Sequence, residues 1–266
     1  MSIAYQIVVC GGIVPDPLQT LEPVAGPALK NEMLLPAVLD PWAAHSLYEA
    51  ANLARKLPGS KVYLVTMAPK AKLQQVMMTV GQKVPLELVA IDGPASGFVE
   101  SAAVAEALAT AIQSIAGLEP ARMLLFGGWE SASRGAGTTM QMVAERLGIT
   151  EQFQGVDELL VGEDGSLRIL ERVEGGRHQI SVCDGAPALL GWATGNLGEP
   201  ANNPQTGMMN MRAMMPALQK AKPAVLAADA KFESVELPKQ LRETRIVKDA
   251  PVEQIAQEIV EWVRAE

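Results

Sequence analysis

The sequence predicts an α/β chain built on a doubly wound, mostly parallel, Rossmann-like sheet, with an antiparallel hairpin extension and a C-terminal docking arm. Three observations carry this. Apolar β-type runs recur at Ile7 to Cys10, Val62 to Met67, Leu86 to Ile91 and Met123 to Phe126. Ala-rich stretches with helical spacing lie between them, the alternation that parallel strands joined by crossover helices require. Apolar residues make up 48% of the chain but aromatics only 4%, so aliphatics and alanine must fill a helix-on-sheet core.

Taken in order, Ala43 to Lys56 places Leu47, Ala50, Ala51 and Ala54 on one face. Pro94 to Ile115 places Val99, Ala103, Ala107 and Ala111 on another. Small residues on those faces let helices lie close to a sheet. After Gly148 the pattern changes to short strands at Val156 to Leu160, Leu167 to Arg172, His178 to Val182 and Ala188 to Ala193, separated by turns such as Glu163-Asp164-Gly165 and Glu174-Gly175-Gly176. These read as antiparallel hairpins extending the same sheet. An apolar strand is expected over Val182 to Leu190, and Gly195 to Met215 is expected to be too irregular for a packed element. From Pro223 to Asp249 the chain is polar and weakly periodic. Helical spacing returns after Pro251, with Val252, Ile255, Ile259, Trp262 and Val263 on one stripe. That stripe either docks on a partner or folds back on its own domain. The domain reading is 1–222 for the α/β domain and 223–266 for the arm and helix.

The formal net charge is −8, from 22 Lys and Arg against 30 Asp and Glu. This disfavours a nucleic-acid backbone or an anionic membrane as partner. Two cysteines without a CxxC pair, Cys10 and Cys183, and two distant histidines disfavour a zinc or iron–sulfur site. The N-terminal segment lacks the marks of a secretory signal, and no apolar run reaches the roughly 20 residues that span a bilayer. A soluble protein in a reducing, cytoplasmic setting is expected.

No catalytic constellation is legible. There is no G-x-S-x-G elbow, and His45 and His178 have no base-and-orienter spacing. His45 reads as a cap or surface residue and His178 as structural. Neither G-x-x-x-x-G-K-[ST] nor G-x-G-x-x-G follows the first strand. The best anion site is Gly127 to Thr139, GGWESASRGAGTT, which follows the strand Met123 to Phe126 and opens into a helix Met140 to Leu147. Small residues there let backbone N–H groups approach a phosphate, hydroxyls add donors, and the helix start is partially positive. The alternative is a Gly/Ser turn with an N-cap threonine. Cys10-Gly11-Gly12 and Thr66-Met67-Ala68-Pro69 end strands on the same rim, where ligands of doubly wound sheets collect. The dense methionines Met208, Met209, Met211, Met214 and Met215 read as contact surface or core filling before soft-metal ligands. Met77, Met78, Met140 and Met142 read as core.

Several segments together resemble the beta subunit of electron transfer flavoproteins: Val14-Pro15-Asp16, Asp40-Pro41-Trp42 through Ala50, Val65-Thr66-Met67-Ala68-Pro69, the strand with Pro187, and Leu197-Gly198-Glu199-Pro200. The chain departs from that pattern at Gly12, where the family carries a basic residue, and at Ala43, Ala44, Ser133, Arg134 and Gly135, where it carries acids. Met140 replaces a Gly, and an insertion around Ala201 to Met211 precedes Arg212. The resemblance implies an adenine-nucleotide-binding, non-enzymatic electron carrier: half of a heterodimer whose alpha subunit holds most of a flavin adenine dinucleotide (FAD), and which takes electrons from client dehydrogenases. It further implies a nucleotide buried in this chain, either adenosine monophosphate (AMP) or a second FAD; the bulk of Trp42 and Arg134 near a site where an isoalloxazine would need space favours AMP. The lining would be Cys10, Asp40, Pro41, Trp42, Ala43, Met67, Gly128, Ser133, Arg134, Gly135, Ala136, Gly137, Thr138 and Thr139. Pro17 and Trp42 would approach the partner's flavin, and Leu197, read as a lone exposed leucine, would be the anchor a client receives. A universal-stress-type adenine-nucleotide sensor is the alternative, and a metabolic transferase would need a base or nucleophile that is not identifiable.

Overall fold

The computed structural model describes residues 3–26, 28–94, 99–226, 233–237, 239 and 244–264. Strand β1 (Gln6–Cys10) is buried at all five positions. A strand that is apolar on both faces has to lie inside a sheet covered on both sides. It pairs in parallel with β4 (Lys61–Ala68) and β6 (Met123–Gly128). With β5 (Glu87–Asp92), β7 (Glu151–Val161), β8 (Leu167–Val173), β9 (Arg177–Cys183), β10 (Ala188–Trp192) and β11 (Lys222–Pro223), the order is β11-β5-β4-β1-β6-β10-β7-β8-β9. Beyond it, β2 (Ile13–Pro15) and β3 (Ala37–Leu39) form a small antiparallel flap.

Alternate strand residues feed two cores. Ile7, Val9, Leu124 and Phe126 pack with residues of α1 (Pro41–Lys56), α2 (Lys70–Val80) and α5 (Pro204–Lys220). Val8, Cys10 and Leu125 pack with residues of α3 (Ser101–Gln113) and α4 (Thr139–Arg146). Helices thus cover both faces, as the doubly wound reading requires. On α1, Leu47 and Ala50 are buried as expected and Ala51 and Ala54 are half-buried against the same core. On α3 the stripe is rotated. Ala103 is buried, but Ala105, Leu108, Ala109 and Ile112 complete the inner face, while Ala107 and Ala111 stay half-buried. The bulky Leu and Ile outcompete alanines for the core because they remove more apolar area from water.

Three sequence expectations are corrected. The strand expected over Val182 to Leu190 is two strands separated by a turn, and β10 is no hairpin arm: it lies between β6 and β7, parallel to both. All five residues of β10 are buried, so its side chains need a covered position on each face. Gly185 makes the turn possible, with φ +128° and space so tight that a Cβ would stand 2.8 Å from the Gly165 carbonyl. Second, within the nine-stranded sheet only the β7–β8 and β8–β9 pairs are antiparallel.

Third, the segment read as irregular contains α5. The Asn203 side chain accepts the N–H groups of Gln205 (2.9 Å) and Thr206 (3.3 Å), and Pro204 occupies the first turn, a strong helix start. The inner face is Gly207, Asn210, Met214 and Leu218. Asn210 hides the periodicity from a hydropathy reading, yet it is buried and satisfied: Nδ2 donates to the Gly81 and Val84 carbonyls at 2.7 and 2.8 Å, and Oδ1 accepts from Leu86 N–H at 3.3 Å. Of the methionines read as core, Met77 and Met140 are buried and Met142 packs at its margin, whereas Met78 is exposed.

Beyond β11, α6 (Val252–Arg264) carries the expected apolar stripe and no buried residue, with Trp262 81% exposed. Part of the expected arm, residues 227–232, 238 and 240–243, lies outside the described residues. No helix among the described residues is long and apolar enough to cross a membrane.

The β7–β9 extension is pinned at one carboxylate. Asp157 accepts from Arg172 Nη2 (2.8 Å) and Nε (3.1 Å) and pairs with His178 Nε2 at 3.0 Å, so His178 is structural, as expected. Burial pushes the Asp157 carboxyl up, but the Arg172 and His178 hydrogen bonds and the Arg172 charge reverse this and leave it below its ordinary value. A lowered folded pKa stabilises the native state above the unfolded value and is lost as pH falls through the folded one. Asp157→Asn should therefore destabilise the protein by about 2 kcal/mol at neutral pH. In denaturant melts the gap from wild type should close as pH falls below the ordinary aspartate value of 3.8; a gap independent of pH would contradict the assignment.

Candidate functional site

The carboxyl ends of β1, β4 and β6 open on one rim, and the β2–β3 flap folds over it. The space between them is a cavity of about 400 Å³, within the roughly 300–1,000 Å³ of small-molecule sites. Cys10, Ala43, Met67 and Asp40 line it from the strand ends and α1. Gly128, Ser133, Arg134, Ala136, Gly137 and Thr139 line it from the loop after β6, and Pro17 from the flap side. Those residues, chosen from sequence, converge. Pro41, Trp42, Gly135 and Thr138 are not on the wall. Pro41 opens α1, Thr138 precedes α4, and Trp42 turns its Cβ towards Gly128. The bulk expected from Trp42 is therefore outside the cavity, while Arg134 is on its wall.

Sequence reasoning missed the roof: Ile13, Val14, Leu21, Leu29 and Glu32. The available signal was a pair of short apolar triplets, Ile13 to Pro15 and Ala37 to Leu39, which register as Ile13↔Leu39, Val14↔Val38 and Pro15↔Ala37. Ser131 and Ala132, within the loop Gly127 to Thr139 read as the anion site, are on the wall, whereas Ser101 and Leu108 on α3 were missed.

Asp40 organises the site. It is 4% exposed. Its Oδ1 accepts the Trp42 N–H at 3.1 Å, capping α1, and its Oδ2 accepts the Ala132 N–H at 2.8 Å, tying the cradle loop to that helix. Burial raises its pKa, and the backbone hydrogen bonds from Ala132, Trp42 and Ala43 oppose the rise. Within the loop, Ser131 Oγ accepts from Arg134 N–H (3.1 Å), and the Ser131 carbonyl accepts from Gly135 N–H (2.8 Å). Gly137 adopts φ +64° beneath the Trp129 carbonyl, where a Cβ has no room. Arg134 Nη1 donates to the Val99 carbonyl at 2.7 Å, bridging the loop to the approach of α3.

The chemistry of this wall is binding chemistry. Thr138 makes no side-chain cap on α4, so no protein oxygen from that residue competes for the helix's leading amides, and Thr139 and Met140 of its first turn line the cavity. Leading helix amides and nearby hydroxyls suit an anionic group. Burial pushes the Cys10 thiol up to about 12, so at neutral pH it is a neutral wall atom and no thiolate nucleophile. Among the described residues, no group of three or more His, Cys, Asp or Glu gathers for a metal. His45 is half-buried on α1, edge-on to Tyr48 at 6.5 Å, and away from the cavity wall. Leu197, read as an exposed knob, is half-buried instead and lines a separate groove with Tyr48, Pro200 and Met209.

The glycine after β6 is sterically required. A Cβ on Gly128 would stand 2.5 Å from Trp42 Cβ and 2.8 Å from the Glu130 carbonyl. Gly128→Ala should force α1 away from the cradle at about 1–3 kcal/mol of stability. Gly12→Ala, with nothing within 4 Å of its Cβ, should be neutral. Paired thermal melts check this, and equal melts for the two variants would refute the packing argument.

The electron transfer flavoprotein domain matches residues 32–231 of this chain, a span that runs from the flap through α1, the cradle, β10 and α5. A comparison with curated proteins found no match. The rim cavity, the buried cap at Asp40, the parallel insertion of β10 and the matched span agree, and the chain belongs to the electron transfer flavoprotein family, a family of flavin-associated electron transfer proteins, as a beta-subunit-like member.

Proposed function

We propose that the chain is the electron-carrier subunit of a heterodimeric electron transfer flavoprotein, accepting electrons from client dehydrogenases through an FAD held mainly by the alpha subunit, and that its own cavity buries AMP. The observation that carries this reading is the rim cavity, whose cradle lies within the family-matched span and has glycines, hydroxyls and the uncapped first turn of α4. When bound, the FAD supplies the redox chemistry, and the protein supplies orientation and electrostatics.

In this reading Asp40 holds the loop Ser131 to Gly137 in the shape that receives a phosphate, and Thr139 stands at the start of α4 beside it. Cys10, Ala43 and Met67 form the apolar wall for a base. Pro17 and Trp42 face the partner's flavin. AMP is favoured over a second FAD because Arg134 crosses from the cradle to Val99 and narrows the space that an isoalloxazine needs. The arm from Pro223 and helix α6 reach the alpha subunit, and the setting is cytoplasmic.

Two experiments test this. In the co-purified heterodimer, acid release and chromatography should give one FAD and one AMP per complex, and Thr139→Val should lower AMP content without changing FAD content. Two FAD per complex would replace AMP by a second flavin, and a colourless, nucleotide-free complex would refute the carrier reading.

No residue of α6 is buried, so deleting residues after Asp249 should leave the melting temperature of the isolated chain unchanged while reducing co-elution with the alpha subunit on size exclusion. Unchanged co-elution and flavin content would remove α6 from the interface.

A further inference from the structure

The loop that follows β10 is not held by its own turn chemistry alone. Glu49, in the middle of α1, is half-buried and directs its carboxylate at the loop: Oε1 accepts the Asn196 N–H at 2.8 Å, and the Leu197 amide, next in the chain, faces the same carboxylate. The residue before them is shaped to admit that carboxylate. Gly195 has φ +61°, and a Cβ there would stand 2.6 Å from Glu49 Oε1 and 3.0 Å from its Cγ. Burial raises the Glu49 carboxyl above its ordinary value, while the two amides and the charges of Lys56 and His45 on the same helix act against the rise. A half-buried carboxylate that accepts a backbone N–H, and lies against a glycine whose missing Cβ makes room for it, holds a chain at one register. On the far side of the loop, Glu199 pairs with Lys83 at 2.7 Å, and Leu197 rests on the groove that Tyr48, Pro200 and Met209 line.

We propose that Glu49 is the positioning residue of the Leu197 loop: its carboxylate clips the Asn196 amide to helix α1 beside Gly195 and so sets the pose in which the loop meets a client dehydrogenase. The proposal rests on the reading of that loop as the client-recognition segment. Glu49 is not on the wall of the rim cavity, so its effect is on encounter and not on cofactor retention. Glu49→Gln replaces one acceptor oxygen by a donor with little change in shape. Gly195→Ala attacks the same contact from the loop side, by placing a methyl where Oε1 lies.

The test uses the flavin-loaded heterodimer, with wild type, Glu49→Gln, Gly195→Ala and Leu197→Ala compared in two measurements. Hydrogen exchange reads the protection of the Asn196 amide. Steady-state kinetics reads KM and kcat with a dehydrogenase fraction selected for its ability to reduce the wild-type complex. The expected result is a tenfold or greater loss of protection at the Asn196 amide in Glu49→Gln and Gly195→Ala. It should be accompanied by a several-fold rise in KM for the dehydrogenase, an unchanged kcat and an unchanged flavin spectrum. Unchanged protection in Glu49→Gln overturns the clip whatever the kinetics show. Lost protection with KM unchanged in Glu49→Gln and in Leu197→Ala overturns the client-recognition reading on which the proposal rests, and with it the proposed role of Glu49 in encounter. A fall in flavin content in Glu49→Gln overturns it in favour of a general structural role.

Discussion

One buried carboxylate joins the parts on which the site depends. Asp40 stands where the flap returns to the sheet, and its own N–H donates to the Gly12 carbonyl at 2.8 Å at the end of the first crossover. Its side chain then caps α1 and receives Ala132 from the cradle. Four segments, the turn after β1, β3, α1 and the loop after β6, therefore share one residue. An acid is suited to this position because every partner is a donor; a carboxylate presents only acceptors, and a buried anion that receives several N–H groups offsets much of its desolvation. An amide side chain would have to turn an NH₂ group towards one of those backbone donors.

Helix α1 carries this arrangement outward. Asp40 at its cap and Glu49 on its third turn are nine residues apart, about 13 Å along an α-helix. The first grips the cradle, and the second grips the loop after β10. The helix has a reason to be rigid over that distance: Ala43, Ser46, Leu47, Ala50 and Leu53 bury its inner face against the sheet, and Ser46 Oγ donates to the Ala43 carbonyl at 2.8 Å. The cavity wall and the loop that borders the α1–α5 groove are thus two attachments to one packed element, and each is made by a carboxylate receiving backbone amides.

The departures from the family pattern have local physical consequences. Arg134 stands where the family carries an acid, and its guanidinium is engaged by the Val99 carbonyl, which makes it a strut across the wall. The insertion around Ala201 to Met211 becomes the first half of α5, with Met208 and Met209 exposed beside the groove that Leu197 lines. Adaptable thioether side chains at such a surface suit contact with another protein better than a packed core does.

The sequence by itself determined the fold class, the four N-terminal parallel strands, the helix over Ala43 to Lys56 and the stripe of α6, because each is written in local periodicity. It also marked Cys10, Met67 and the Gly128 to Thr139 loop, since small residues at strand ends are local signals. Only the tertiary structure decided the place of β10, the existence of α5, the roof of the cavity and the burial of Leu197. Those depend on partners distant in sequence: β10 on β6 and β7, Asn210 on Gly81 and Val84, Ile13 on Leu39, and the Leu197 loop on Glu49. A hydropathy pattern counts Asn210 as polar and Leu197 as a stray apolar residue. Their burial is set by which backbone groups and side chains the folded chain brings within hydrogen-bonding and packing distance, and no single segment contains that information.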